Sequence, residues 1–324
     1  MKILLPSFAI LLGVLLALLG SASDSRESVA STPHAPQLLT PERQLPVSNE
    51  TPAPVAPAPP QANSAQRILE RTRYELDRLE QFSARIRVRV ALFDQELIGA
   101  GTYFQSGAGQ QKKLRSELRL QTGDSIIGAI QVCDGRYVWS NAETFAGPLL
   151  TRIDLRRIHQ RRAQLNEELP EELWAWGGLP KLLKNLETSF QWDQAHAGYL
   201  EADKTPAWSI RGMWRGEAYA TLVPAQAGQV AGGVLGGFPP QLPGSVTLYI
   251  RQHDYLPQRI EYRRPPLGAK GNVPPEEWVP CVLIEFTDIS TDRPIEPGTF
   301  DFQPGKQQEV VDLTDNLLPL PKSR

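Results

Sequence analysis

The sequence has few of the residues from which catalytic and metal sites are built. It contains four histidines in 324 residues, and no two of them stand at a metal-ligand spacing. No Gly-x-Ser-x-Gly motif is present, and no Gly-Lys-Ser/Thr follows the glycine-rich stretch at 225–244. Carboxylates fall on predicted solvent-facing positions rather than in apolar runs, where burial would tune their acidity. The sequence therefore gives no support for an enzyme, and we expect no metal and no cofactor.

Strong net charge and cysteine are also lacking. The formal net charge is −2, so no overall field favours nucleic acid as a partner. The two cysteines, Cys133 and Cys281, are far apart in the sequence. Outside the cytoplasm they could form a disulfide, but each also lies in a predicted strand, where a free buried cysteine is ordinary. Both alternatives stay open at this point.

The chain has one long apolar run, and it lies at the N-terminus. Lys2 precedes an apolar stretch from Ile3 to Leu19, and small residues follow at 20–23. This order is typical of a bacterial secretory signal, so we expect export to the periplasm. The alternative is that residues 1–22 remain as an inner-membrane anchor, although the run is short for a span and Pro6 interrupts it. No cysteine lies near this site, so lipoprotein acylation is not indicated.

Residues 23–61 have the composition of a spacer. Nine prolines are distributed through them and large apolar residues are few. Such a segment cannot bury enough apolar surface to offset the entropy of ordering. At about 3.1 Å per residue it would extend on the order of 100 Å. We expect a folded domain over residues 62–312 and a tail over 313–324.

Within that domain a helix is predicted first, and then consecutive strands. Ile68, Leu69, Leu76 and Leu79 recur at helical spacing within Ala65–Leu79. The period then changes to two, which indicates strands with one apolar face joined by tight turns. The predicted strands of this first meander are Arg85–Leu92, Leu97–Gln105, Lys113–Gln121, Ser125–Cys133 and Arg136–Trp139. Those of the second are Trp208–Trp214, Ser245–Arg251, Leu256–Arg263 and Val279–Asp288.

Two further helices are predicted between the meanders. Thr151–Leu165 has the pattern of a basic amphipathic helix, which suits either a membrane surface or the protein's own sheet. Leu179–Phe190 places its leucines on one face and has Pro180 near its first turn.

The order of these elements resembles a known family. Asp134-Gly135-Arg136-Tyr137-Val138-Trp139 ends the first meander, Asp254-Tyr255-Leu256-Pro257-Gln258-Arg259-Ile260 lies in the second, and Phe286-Thr287-Asp288-Ile289 follows. This pattern resembles the LolA/LolB-like periplasmic lipoprotein carriers over about 65–139 and 245–305. The region from Asn141 to Gly244 is longer than the family pattern. The resemblance implies an α+β fold, in which an incomplete antiparallel β-barrel of about ten strands is covered by helices on its open side.

The resemblance also implies a ligand and a site. Carriers of this family hold acyl chains of lipoproteins or lipids in an apolar cavity, and a strand arginine helps hold the helical lid. Arg115 is the nearest match to that arginine. The expected cavity lining consists of apolar strand residues: Ile86, Val88, Val90, Leu118, Leu120, Trp139, Val246, Leu248, Ile250, Ile284 and Phe286. The alternative function is a membrane-tethered envelope sensor or scaffold that uses the same fold to bind a partner protein.

Overall fold

The structure is a computed structural model. It describes residues 64–92, 95–107, 111–123, 125–144, 147–164, 178–200, 204–222, 243–266, 273–305 and 308–317. The predicted signal segment 1–22, the spacer 23–61 and most of the glycine-rich stretch 225–244 lie outside these ranges, so what the sequence indicates about them stays a prediction.

The described residues form one large sheet that does not close. Its strands are β1 Gln81–Leu92, β2 Gln95–Ser106, β3 Lys113–Thr122, β4 Ser125–Cys133, β5 Tyr137–Thr144, β6 Gly147–Asp154, β7 Phe190–Trp192, β8 His196–Tyr199, β9 Pro206–Trp214, β10 Ser245–Arg251, β11 Pro257–Arg264, β12 Val279–Ser290 and β13 Val310–Asp312. The strand order is β13-β6-β5-β4-β3-β2-β1-β12-β11-β10-β9-β7, and β8 also pairs with β9. All the pairs are antiparallel except β13 with β6.

The two meanders join through β1 and β12. Val88 faces Ile284 across this pair, so the apolar sides of both meanders form one continuous surface. In β2, Gly101 lies against β3, and a Cβ atom there would overlap the Glu117 carbonyl oxygen. Glycine at this position therefore permits the close approach of β2 to β3.

Helices cover one face of this sheet. The helices are α1 Ser64–Arg78, α2 Leu155–Gln164, α3 Gly178–Ser189, α4 Gly216–Leu222 and α5 Thr314–Leu317. α1 and α3 pack over the centre of the sheet, where their leucines and those of the strands form the main apolar core. α2 packs over the end near β5 and β6, where Ile158 and Val138 belong to a second, smaller core. The predicted incomplete antiparallel barrel with helices is thus confirmed, with thirteen strands among the described residues rather than about ten.

The single helix predicted over Thr151–Leu165 is partly wrong. Thr151–Asp154 is the end of β6, and the helix begins at Leu155. The boundary lies at Asp154 because its carboxylate accepts a hydrogen bond from the Arg157 amide, as a helix N-cap does (3.2 Å).

The C-terminal part of the domain crosses to the opposite face of the sheet. After β12 a 3-10 turn at Pro297–Phe300 leads along β3, and the chain then reaches the edge strand β6 as β13. Arg152 of β6 forms an ion pair with Asp312 of β13 (2.6 Å). The packed structure continues through α5, where Thr314 is buried, beyond the predicted boundary at 312. Neither β13 nor α5 was predicted.

Candidate functional site

The helix-covered apolar face brings together ten of the eleven residues predicted to line a cavity. All ten belong to one core cluster, and none is more than 5% exposed. They are Ile86, Val88, Val90, Leu118, Leu120, Val246, Leu248, Ile250, Ile284 and Phe286. Strand alternation and register explain the grouping, because residues two apart in one strand and their cross-strand partners share a face.

This face is occupied by the protein's own helices. Leu69 and Leu76 of α1, and Leu179, Leu183 and Leu186 of α3, belong to the same cluster as the strand residues. Among the described residues, α1 and α3 therefore pack against the strand residues that were expected to line a cavity, and the cavity itself stays a prediction.

A series of three buried hydrogen bonds joins α1 and α3 to β2. The Leu179 amide at the start of α3 donates to the Tyr103 hydroxyl (3.1 Å), which donates to Gln105 Oε1 (2.9 Å). Gln105 Nε2 in turn donates to the Leu76 carbonyl oxygen near the end of α1 (3.2 Å). Burial raises the pKa of Tyr103, so its hydroxyl stays neutral and available as a donor.

Gly178 allows α3 to begin at this point. Its φ is +75°, in the left-handed region that glycine adopts without strain. A Cβ atom here would lie 2.5 Å from the Tyr103 hydroxyl oxygen. The close approach of α3 to β2 therefore requires glycine.

Polar contacts also join the two helices to each other. The Glu187 carboxylate of α3 accepts a hydrogen bond from Gln66 Nε2 of α1 (2.8 Å), and Arg73 of α1 lies 3.7 Å from it. Glu187 has a side chain only 13% exposed, so water screens these contacts less than those at the open surface. They hold α3 against α1.

α1 has separate attachments at its two ends. Ser64 Oγ accepts a hydrogen bond from the Ala195 amide (3.1 Å). At the other end the buried Lys112 forms an ion pair with Asp77 (3.0 Å). α1 is therefore fixed at both of its ends to residues outside α3.

Trp139 and Arg115 lie on the opposite face of the sheet. In β5 the Val138 side chain points to the helix side, so that of Trp139 points away, and its ring packs on Phe302 at 5.5 Å between centroids. Arg115 Nη1 donates to the carbonyl oxygens of Thr299 and Asp301 (3.1 and 3.3 Å). Among the described residues these two side chains therefore hold the segment 297–305, here called the C-terminal strap. The expectations that Trp139 lines the helix-covered face and that Arg115 contacts a helical lid are not met.

Sequence reasoning missed the polar residues that hold the helices. Tyr103 and Gln105 follow Gly99 and Gly101 at period two, so they occupy the same face of β2. That alternation was available from the sequence. Their partners Leu179 and Leu76 were not, because each is reached through a backbone atom of a distant helix.

The cysteines are free thiols. Cys133 and Cys281 are both buried, and they lie in different core clusters. Burial raises the pKa of each thiol to about 11, so neither is a thiolate near neutral pH.

Neither a metal-ligand cluster nor a membrane-spanning helix occurs in the part of the chain that the structure describes. No group of three or more His, Cys, Asp or Glu side chains that could hold a metal ion occurs there. Within the same residues, no helix has the length and apolarity needed to cross a bilayer.

Comparison with known proteins gives similar structures only. No protein-family model matches the chain, and no curated protein matches it. An uncharacterized conserved protein from Thermus thermophilus is 14% identical, with 77% of this chain and 99% of that chain covered and a TM-score of 0.41. The structure of the MucA/MucB complex of Pseudomonas aeruginosa is 13% identical, with 76% of this chain and 63% of that chain covered and a TM-score of 0.38. A LolA superfamily protein from Nitrosomonas europaea is 14% identical, with 74% of this chain and 99% of that chain covered and a TM-score of 0.27.

Proposed function

We propose that this protein is an exported, non-enzymatic binding protein of the bacterial envelope that carries acyl chains of lipoproteins or lipids. The acyl chain would lie between the sheet and α3, in the space that the α3 leucines fill in the closed state. The observation that carries this proposal is the continuous apolar face of β1, β3, β10 and β12 beneath a helix with its own polar fastenings. Periplasmic location follows from the predicted signal segment, with retention of residues 1–22 as an inner-membrane anchor as the alternative.

The free energy lost when the α3 leucines leave the sheet is similar in size to the free energy gained when an acyl chain replaces them. Moving α3 away exposes three buried leucines, Leu179, Leu183 and Leu186, and each exposed leucine costs about 1.5–3 kcal/mol. An acyl chain with about fifteen methylene groups contributes about 0.8 kcal/mol for each one buried. A long chain therefore outweighs the loss of the three leucines, whereas a chain half as long does not clearly do so.

A second function is supported by the dense packing of the same face. Because α1 and α3 already bury the apolar residues, the domain is also suited to act as a stable scaffold that binds a partner protein. In that case residues 1–22 would tether the module, and lipid would have no role.

Uptake of a fluorescent fatty acid, together with native mass spectrometry of a palmitoylated lipopeptide, separates the two functions. Glu187→Ala removes the contacts to Gln66 and Arg73 and lowers the cost of moving α3 by about 1 kcal/mol, which corresponds to about fivefold tighter binding. Glu276→Ala is the matched control, because it removes an exposed carboxylate whose partner, Arg211, lies on the opposite face. The carrier predicts a one-to-one lipopeptide adduct and tighter binding by Glu187→Ala alone. If neither the variants nor the wild type form an adduct, the carrier function is excluded and the scaffold function remains.

A further inference from the structure

A groove of about 510 Å³ lies on the sheet face away from the helices, across β12, β1, β2, β3 and β4. One cross-strand row of the groove runs from Arg87 through Ala100 to Arg119. The Ala100 side chain is a single methyl group between two long side chains. The row therefore forms a furrow with a cation on each side.

The neighbouring row supplies apolar surface. It runs from Arg89 through Ile98 and Gln121 to Ile126. Ile98 is 55% exposed and Ile126 is 66% exposed, although both lie within strands. Clustered exposed apolar side chains beside polar ones are typical of interaction sites.

The arginines of the furrow are available to an anion. The guanidinium groups of Arg87 and Arg119 make no hydrogen bond or ion pair within the part of the chain that the structure describes. Glu285, the carboxylate in the groove, is already engaged by Arg259 (2.7 Å). The groove therefore presents positive charge beside exposed isoleucines.

The same face already packs against another segment of this molecule, the C-terminal strap. Four residues before Arg119 in β3, Arg115 holds the carbonyl oxygens of the C-terminal strap, and Phe302 of the strap packs on Trp139. On this surface an arginine and a neighbouring aromatic ring together contact the strap. The groove lies on the same face and also offers arginine side chains beside apolar side chains.

We propose that this groove binds an extended segment of a partner protein in which acidic residues alternate with large apolar residues. The two rows of the groove are about 6.8 Å apart along the strands, and successive side chains of an extended chain point to opposite sides. A segment running across the strands between the rows would place every second side chain on the arginines and the others on the isoleucines. A concave furrow suits a single chain better than it suits a flat bilayer. This inference does not depend on acyl binding at the helix-covered face.

The test measures fluorescence anisotropy of a labelled twelve-residue peptide of alternating glutamate and leucine, with the full chain. Arg87→Glu and Arg119→Glu should each weaken binding about tenfold or more, because each replaces attraction by repulsion. Ile126→Ser should weaken it about fivefold by removing apolar contact. Arg156→Glu is the matched control, since Arg156 is an exposed arginine on α2, and it should bind as the wild type does. A peptide with lysine in place of glutamate should not bind.

Three outcomes would overturn the proposal. One is equal peptide affinity in the two groove reversals and Arg156→Glu, in variants whose circular dichroism and thermal melting match the wild type. If a reversal misfolds, Arg87→Ser gives the same comparison without the introduced charge. The second is binding of phosphatidylglycerol vesicles, but not of the peptide, through Arg87 and Arg119. The third is concentration-dependent dimerisation that Arg119→Glu abolishes, which would assign the groove to a second copy.

Discussion

At the scale of single residues, the Tyr103 hydroxyl connects three elements. It accepts from α3, donates to Gln105 in its own strand, and through Gln105 reaches α1. All of these atoms are buried, so each unmade bond leaves a polar group without water. One strand residue therefore controls how firmly the helices cover the sheet.

Tyr103→Phe tests this role. The ring remains, but the Leu179 amide and Gln105 Oε1 each lose a partner, so we expect the free energy of unfolding to fall by about 1–3 kcal/mol. Urea denaturation measures the change. Tyr199→Phe is the control, because Tyr199 is 71% exposed in the edge strand β8, and its expected change is within about 0.5 kcal/mol. Equal stability of Tyr103→Phe and wild type would contradict the role.

Alternation in the sequence predicted which face most residues occupy, and Trp139 shows where it fails. Its size and burial suit a core, and it is indeed 8% exposed. The run Tyr137-Val138-Trp139 is apolar at successive positions, so the sequence does not indicate which side faces the helices. The C-terminal strap buries the second side, and its position depends on a contact with a residue far along the chain, Phe302.

At the scale of elements, β13 and α5 close one edge of the sheet through charged and polar side chains. Asp312 in β13 pairs with Arg152 and accepts a hydrogen bond from the Thr314 amide. Burial opposes ionisation of this carboxyl, but the hydrogen bonds from Thr314 and Arg152 outweigh it and lower the pKa of Asp312 to about 2. The ionised form therefore stabilises the folded edge.

This shift predicts a pH dependence. Because the folded-state pKa is depressed below the unfolded value of about 3.9, the stabilisation is complete above that value and is lost as pH falls through about 2. The free energy of unfolding should exceed that of Asp312→Asn at pH 6, and the two should converge between about pH 4 and pH 2. Urea titrations at each pH measure the difference. A difference of constant size over this range would contradict the assignment.

Long elements with regular periodicity were predicted from the sequence, and short or polar ones were not. α1, β3 and β10 lie within one or two residues of their predicted bounds because their apolar residues recur without interruption. The end of β6, Thr151–Asp154, was assigned to a helix because Arg152 precedes the arginines of α2, with Asp154 as the one local boundary signal. β13 has three residues and forms only against β6, so local sequence carries no strand period there.

At the scale of the whole molecule, an unclosed sheet needs a cover for its apolar face. The sequence predicted two apolar meanders, and the structure joins them into one sheet through β1 and β12. It predicted a cavity lined by apolar strand residues, and among the described residues α1 and α3 pack against that lining. Helix placement could not be predicted, because it depends on long-range contacts such as those of Tyr103 and Glu187 rather than on periodicity.

The central claim is that an acyl chain replaces α3 against the sheet. A palmitoyl lipopeptide with a photoreactive diazirine near the end of its acyl chain, irradiated with the full-length protein and mapped by peptide mass spectrometry, tests this claim directly. The account predicts cross-links to Val88, Leu118 or Leu248, and more of them in Glu187→Ala. Cross-links confined to the opposite face, or none above the level of the peptide without its acyl chain, would contradict it.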